Sequence, residues 1–349
     1  MSPLVPGAPF PDSFLRSKFS YKTYTYKTNP EVSLDLYLPP STSSKGPYKT
    51  LILFHGGGLI CGGRHNMIPG DVAERLLHKD WAIISASYRL LPQATSLDIL
   101  QDLKDLSTWL STQGSALGLD TARLAVGGES AGGYVALLAA KAIGAKAVLD
   151  LFGMIDLRDP WYSGKKATPP VIGGTPTAGL SEEQFVDVFA EEVKSDDPAI
   201  PGPTGRLGLV FWALKEGMST LPPPPRVVGL ELTSAANLEG VMLDLIFGRF
   251  PRQSVPADSV VPNVPAEERE LLPLEFVDAT FPPLFAVHGN LDSFVPLKDS
   301  LQLAERLKAL GVEAELAVIK GGEHGVFPQD GQAEAAWDRA AEFLDRVVV

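Results

Sequence analysis

The hydrophobic positions change their spacing several times along the chain, and each spacing predicts an element. Residues Tyr21–Lys27 and Val32–Leu38 alternate apolar and polar side chains, the period of half-buried strands, with the turn signal Asn29-Pro30 between them. They predict an antiparallel pair at a sheet edge. From Thr50 onward the pattern becomes continuous. Leu51–Phe54 and Ala82–Tyr88 are short unbroken apolar runs, as expected of strands buried on both faces. Asp71–Lys79 between them has helical spacing, and Leu97, Leu100, Leu103, Leu106 and Leu110 form a helical stripe. Strand Arg123–Val126, helix Ala131–Ile143 and strand Ala147–Leu151 follow. Near the end come strand Leu284–Val287, helix Leu297–Leu310, strand Ala314–Ile319 and helix Gln332–Val347. Strand and helix in repeated alternation predict an α/β fold, a mostly parallel central sheet flanked by helices with right-handed crossovers.

The alternation is interrupted once, from about Asp156 to Phe276. This stretch holds Pro169-Pro170, Pro198, Pro201, Pro203 and the run Pro222–Pro225. It also holds helical patches at Ser181–Val193, where Ser181 and Gln184 fit a capping box, at Leu207–Lys215 and at Ala236–Phe247. An alternation that stops and then resumes reads as one domain over residues 1–349 carrying a helical cap insertion. The Pro- and Ser-rich segment 1–20 is expected to be irregular or loosely helical and to contribute to that cap.

Composition narrows the functions available. Of 349 residues, 45% are hydrophobic and 21% charged, ordinary values for a globular protein. The formal net charge of −12 excludes a nucleic-acid partner, whose binding needs clustered Lys and Arg. It also repels anionic substrates at long range, which favours a neutral ligand. Cys61 is the sole cysteine, so no intrachain disulfide or Cys-based metal cluster can form, and a reducing compartment suits the chain. The start lacks the basic and apolar segments of a signal peptide, and no run reaches the ~18 apolar residues of a membrane span. The expectation is a cytoplasmic protein with no membrane span; a homodimer is left open. No His-Glu-x-x-His or Cys-x-x-Cys spacing occurs, so neither a metal nor another cofactor is expected.

The chemistry is carried by Gly128-Glu129-Ser130-Ala131-Gly132. Alone this pentapeptide is a weak signal. Here it joins a strand to a good helix, the strand–turn–helix context of a nucleophile elbow, with Ser130 at the apex. Serine at its free pKa needs a base, and the base needs an orienter. Of five histidines, His324 lies in the loop between the last strand and the last helix, where the base belongs. Asp292 lies in the loop after the preceding strand. Asp299, inside the following helix, and Asp278, before the strand, are poorly placed rivals. The order Ser130, Asp292, His324 is the order that strand–turn–helix hydrolases use. His55-Gly56-Gly57-Gly58 ends an early buried strand, and its glycines expose backbone N–H groups, as an oxyanion hole requires. Gly57 and Gly58 would supply two donors and Ala131 a third.

With these residues in view, the chain resembles the hormone-sensitive-lipase-like family of α/β-hydrolase carboxylesterases. The resemblance rests on His55–Gly58, Tyr88-Arg89-Leu90 with Pro92 and Asp102, Gly118-Leu119-Asp120 to Arg123, Gly128–Gly132 and His324-Gly325. It implies the α/β-hydrolase fold, the triad Ser130, Asp292 and His324, the oxyanion donors Gly57, Gly58 and Ala131, and a cap over the acyl pocket. The chain departs from the family at Leu59, where an aromatic residue is usual, and in its longer insertion. Its acid loop, His288–Asp292 followed by Val295-Pro296, looks more like that of the related serine peptidases.

The expected activity is hydrolysis of a neutral, moderately apolar carboxylic ester or lactone, a small molecule, through an acyl-enzyme. A tailoring hydrolase or acyl transferase acting on a large natural product is the alternative. Peptidase or amidase action and a non-catalytic ligand receptor are further readings. Substrate-pocket candidates are Leu59, Glu129, Trp161, Tyr162, Phe211, Trp212, Met242 and Val326. Cys61 is expected to be a small buried hydrophobe, and His55 an anchor of the glycine loop.

Overall fold

A computed structural model of the chain describes residues 14–40, 46–91, 93–164, 171–172, 175–176, 242, 246–248 and 266–349. Strands β1 (Tyr21–Thr28) and β2 (Glu31–Tyr37) form the expected antiparallel edge pair. The rest of the large sheet is built from β3 (Tyr48–Phe54), β4 (Ala82–Ala86), β5 (Leu119–Glu129) and β6 (Ala147–Leu151), completed by β9 (Leu284–Gly289) and β10 (Ala314–Ile319). A separate two-stranded ribbon, β7 (Val171–Ile172) and β8 (Thr175–Pro176), lies between β6 and β9 in the chain. The large sheet has eight strands in the order β1-β2-β4-β3-β5-β6-β9-β10. Strands β4, β3, β5, β6, β9 and β10 run parallel, and only the β1/β2 and β2/β4 pairings are antiparallel.

The period-2 geometry of the strands divides their side chains between two cores. Ile52, Phe54, Val126, Val148, Leu284 and Ala286 face one side. There they pack against α3 (Ser96–Gln113), α4 (Ala131–Ile143) and α7 (Leu297–Ala309). Leu51, Leu53, Ala125, Leu149, Phe285 and Val287 face the other side, against α1 (Phe14–Lys18), α2 (Gly70–Leu77) and α8 (Gln332–Val347). Both faces of the parallel strands are covered, which explains their unbroken apolar runs. Leu15 of α1 packs in the second core, and Arg16 bonds Asp35 of β2. The N-terminal segment is thus tied to the sheet from residue 14 onward.

Most elements match the sequence reading within two or three residues. The largest difference is β5, which begins at Leu119 rather than Arg123. Tyr48 pairs with Leu119 before the register shifts, so the strand starts earlier than its apolar run. Helix α3 starts with a full capping box on Thr95 and Asp98, with the first leucine of the stripe, Leu97, in its first turn. Within 156–276 the described elements are α5 (Pro160–Ser163), β7, β8, a short 3₁₀ turn at Ala266–Leu271 and α6 (Pro273–Phe276). The helices expected at Ser181–Val193 and Leu207–Lys215 lie outside the described residues, as does most of Ala236–Phe247. Of that last patch Met242 and Ile246 are helical, buried and part of the first core. No helix among the described residues is long and apolar enough to cross a membrane.

Candidate active site

Ser130 sits between the end of β5 and the start of α4, with φ 57° and ψ −120°. A non-glycine residue rarely adopts this conformation, and here the surroundings enforce it. The Ser130 N–H donates to the Leu151 carbonyl on β6, while its own carbonyl accepts from Gly133 and Met154. The flanking glycines are required by contact. A Cβ on Gly132 would lie 2.1 Å from the Phe54 carbonyl oxygen, and one on Gly128 would lie 2.3 Å from the Gly132 oxygen. Strand and helix therefore approach more closely than any side chain allows. Ser130 stands at the N-cap of α4 yet makes no capping hydrogen bond with its side chain, which turns instead toward His324.

His324 Nε2 is 2.9 Å from Ser130 Oγ, and His324 Nδ1 is 2.7 Å from Asp292 Oδ2. Three loops that the chain separates widely thus meet in one line. His324 is nearly buried, and Asp292 has a fully buried side chain. Asp292 Oδ1 accepts from the backbone N–H groups of Phe294 (2.8 Å) and Val295 (2.9 Å), which leaves Oδ2 facing the imidazole. Burial alone would raise this carboxyl. The charge of His324 and the hydrogen bonds from His288 and His324 outweigh it and hold Asp292 well below the usual carboxylate range. The rivals are elsewhere: Asp299 is buried on α7, where its Oδ2 accepts from Ile155 N–H, Asp156 N–H and the Tyr162 hydroxyl, and Asp278 is exposed.

The glycine loop passes beside Ser130, since a Cβ on Gly56 would lie 3.5 Å from Ser130 Cβ. Its peptide planes are set one at a time. His55 Nδ1 is 2.8 Å from the Gly56 carbonyl, and the His55 ring stacks on Tyr88 with centroids 4.2 Å apart. The Tyr88 hydroxyl in turn donates to the His55 carbonyl. The Gly57 carbonyl accepts from Ile60 and Cys61 N–H. In a planar trans peptide, C=O and N–H point in opposite directions. Fixing the carbonyls of Gly56 and Gly57 therefore fixes the N–H groups of Gly57 and Gly58. Gly57 has φ 99° and Gly58 φ 66°, a backbone that favours glycine. Ala131 opens α4, so its N–H belongs to the first helical turn, which has no intrahelical acceptor.

The remaining pocket candidates divide. Glu129 is half-buried and close to Gly56. Trp161 is half-buried and donates its indole N–H to the Phe294 carbonyl, which places it beside the acid loop. Val326, also half-buried, closes the His324 turn by accepting from Glu323 N–H. Leu59, Tyr162 and Met242 are instead buried in the first core. Leu59 turns inward at φ 65°, and its carbonyl is taken by Leu91 N–H. The Tyr162 hydroxyl is committed to Asp299 at 2.7 Å. Phe211 and Trp212 lie outside the described residues. Cys61 is buried, as expected, with Sγ 3.3 Å from the Gly57 carbonyl.

Sequence reasoning does not find the two aromatic rings that hold His324. Phe152 meets the His324 ring edge-on at 4.9 Å, and Phe294 stacks on it at 5.3 Å. Both follow strand ends that were already in view. His288, which its place before the acid loop rules out as the base, makes a contact the sequence does not show: it is fully buried, with Nε2 3.3 Å from Asp292 Oδ2.

Comparison with known proteins points to the same fold class. Residues 34–178 match the BD-FAE family and residues 257–348 the prolyl oligopeptidase family. The chain is 26% identical over 353 aligned residues to the non-reducing polyketide synthase ausA of Aspergillus calidoustus, a match covering 93% of the chain. It spans only 14% of that synthase, and similarly small shares of several other polyketide synthases. It is 23% identical to the probable carboxylesterase M8 of a Phoma species, and there the match covers 89% of each protein. Among solved structures, an alpha/beta hydrolase superfamily protein from Enterococcus faecalis superposes with a TM-score of 0.62 at 16% identity, covering 94% of this chain and 99% of that one.

Proposed function

The chain belongs to the α/β-hydrolase esterases, and on that premise we propose that Ser130, His324 and Asp292 cleave a neutral, moderately apolar carboxylic ester or lactone. The enzyme is a serine ester hydrolase, and the supporting observation is one imidazole spanning Ser130 Oγ at 2.9 Å and Asp292 Oδ2 at 2.7 Å. His324 Nε2 removes the Ser130 proton as Oγ attacks the carbonyl carbon. The tetrahedral oxyanion is held by the N–H groups of Gly57, Gly58 and Ala131, where one such donor is typically worth about 10²–10³ in rate. His324 then gives its proton to the leaving alkoxide. Water, activated by the same imidazole, releases the acid from the acyl-enzyme. Asp292 keeps the proton of the resting imidazole on Nδ1, so Nε2 stays free to accept.

We assign residues 156–276 to a cap inserted into one domain, with Trp161 at its border with the acid loop. The negative charge of the chain favours neutral substrates over anionic ones. A cytoplasmic setting belongs to the same proposal, suited by a sole cysteine that is buried.

A fluorophosphonate probe followed by intact-mass measurement tests the reading. One adduct is expected on the wild type and none on Ser130→Ala; a folded wild type that takes no label overturns it. A series of p-nitrophenyl esters of graded acyl length then tests the substrate class. The synthase similarity, which runs across 93% of the chain, supports a second reading, tailoring hydrolysis or acyl transfer on a large natural product. Labelling of Ser130 without turnover of any simple ester would favour it.

A further inference from the structure

The carboxylate of Asp292 is shared. Two backbone N–H groups occupy Oδ1, and two imidazoles converge on Oδ2: His324 Nδ1 at 2.7 Å and His288 Nε2 at 3.3 Å. His288 lies on β9 and is fully buried. Its Nε2 also faces the Val295 carbonyl at 3.0 Å. Both neighbours of Nε2 are acceptors only, so Nε2 carries a hydrogen in every state. Nδ1 faces Ser300 Oγ on α7 at 2.8 Å, and Ser300 Oγ lies 3.4 Å from Asp150 Oδ2 on β6. Ser300 has one hydroxyl hydrogen. It goes to Nδ1 when His288 is neutral, or to Asp150 when His288 is an imidazolium whose Nδ1–H donates to Oγ. A continuous buried path thus runs from Asp150 through Ser300 and His288 to the carboxylate that orients the base.

Resting on the triad reading above, we propose that His288 is a positioning residue for Asp292, holding its carboxylate when neutral and weakening His324 as a base when protonated through Ser300. The second effect follows from charge. In the transition state for acylation His324 becomes an imidazolium stabilised by Asp292. A second imidazolium on the same oxygen spends that negative charge twice and repels the first. The charged and ionisable groups around His288 are Asp150 on β6, Asp292 in its own loop, Asp299 beside Ser300 on α7, and His324 beyond Asp292. Val318 is its register partner on β10, and α4, on the same face, buries no charged side chain. Burial opposes charging His288, but Asp292, the Val295 carbonyl and Asp150 outweigh it and raise its pKa above the ordinary histidine value. The protonated state is therefore reached at a higher pH than in an ordinary imidazole.

The test compares kcat/KM against pH for the wild type, His288→Gln, His288→Leu and Asp150→Asn on one p-nitrophenyl ester, each variant first checked for fluorophosphonate labelling. The wild type is expected to lose activity on the acid side more steeply than one proton allows. Gln keeps a donor toward Oδ2 and cannot titrate, so His288→Gln should retain activity within about fivefold at pH 8 and show a one-proton limb. His288→Leu should lower kcat about 10- to 100-fold with KM unchanged. Asp150→Asn removes a charge that favours the imidazolium and should move the extra step to lower pH. If His288→Leu does not fold, the shape of the His288→Gln limb still decides. Labelled enzymes with identical one-proton profiles in wild type and His288→Gln overturn the proposal and leave the triad intact. Absence of label on the wild type overturns the triad itself.

Discussion

Replacing Asp292 by Asn tests the assignment of the acid most directly. Oδ1 is pinned by the N–H groups of Phe294 and Val295, so the carbonyl oxygen of the new amide is held on that side. Its NH₂ must then face His324 Nδ1, where Oδ2 stood at 2.7 Å. Two donors cannot face each other, so Nδ1 becomes the acceptor and the imidazole hydrogen moves to Nε2, against Ser130 Oγ. The base is then in the wrong tautomer, and the attraction between imidazolium and carboxylate is lost. At that separation and an effective dielectric of about 20, this attraction is roughly 6 kcal/mol, less once the ring spreads its charge. About 5 kcal/mol corresponds to a loss of roughly 10³–10⁴ in kcat/KM. The assay is hydrolysis of a p-nitrophenyl ester, with circular dichroism to establish folding. A folded variant that loses less than about tenfold would refute the role given to Asp292. Asp278→Asn, an exposed change, should leave the rate within about twofold.

Three further outcomes are expected. Gly132→Ala drives a Cβ to 2.1 Å from the Phe54 oxygen and 2.6 Å from the His55 oxygen, both backbone, and should destabilise by about 3 kcal/mol or more. Gly144→Ala, where a Cβ meets nothing within 4 Å but φ is 73°, should cost only about 1–2 kcal/mol; equal Tm values for the two variants would contradict the close strand–helix approach. Gly57→Ala places a Cβ 2.2 Å from the Cys61 carbonyl oxygen, and should lower kcat by about 10²–10³ as the loop's N–H groups move, while slower but still single fluorophosphonate labelling persists. Burial pushes the Asp150 carboxyl up to about 6. A carboxyl raised in the folded state contributes its full share below the unfolded value near 4, and loses it as pH rises through about 6. Asp150→Asn cannot ionise, so its stability relative to wild type should improve by on the order of 3 kcal/mol between pH 4 and pH 8, read as the change in the Tm difference.

The parts of the site visible in the sequence were those set by local backbone. Ser130 announces itself because the turn that raises it needs Gly128 and Gly132 within two residues on either side. Asp292 and His324 follow from strand order, because a parallel sheet puts the loops after β9 and β10 at the same edge as the end of β5. What escaped depends on neighbours distant in the chain. His288 reads as one polar residue ending an apolar strand; its meaning comes from Ser300 on α7 and Asp150 on β6. The place of Leu59 after the glycines predicts a pocket residue, but the positive φ of the loop turns it into the core. Tyr162 was expected in the pocket for being aromatic, whereas Asp299 claims its hydroxyl. Asp299, poorly placed by its position inside a helix, also has its Oδ2 occupied by three donors, which no sequence pattern shows.

The pairing of β6 with β9, Val148 beside Leu284 through Leu151 beside Val287, has a consequence for how this protein can change. The chain leaves the sheet at the C-terminal end of β6 and re-enters at the N-terminal end of the adjoining parallel strand, so Leu151 and Leu284, the two ends of everything between them, are held roughly 11 Å apart whatever lies in the middle. Closing such a loop costs free energy that grows only with the logarithm of its length. Between Gly164 and Ala266 the chain can therefore lengthen, shorten or be exchanged, provided that the core places of Met242 and Ile246 are still filled, while the sheet, the elbow and the triad loops keep their register. Under the proposed function, catalysis and recognition occupy separately replaceable parts of one chain. A stretch transplanted from another esterase between these two strands would bring its preferences to chemistry it did not build.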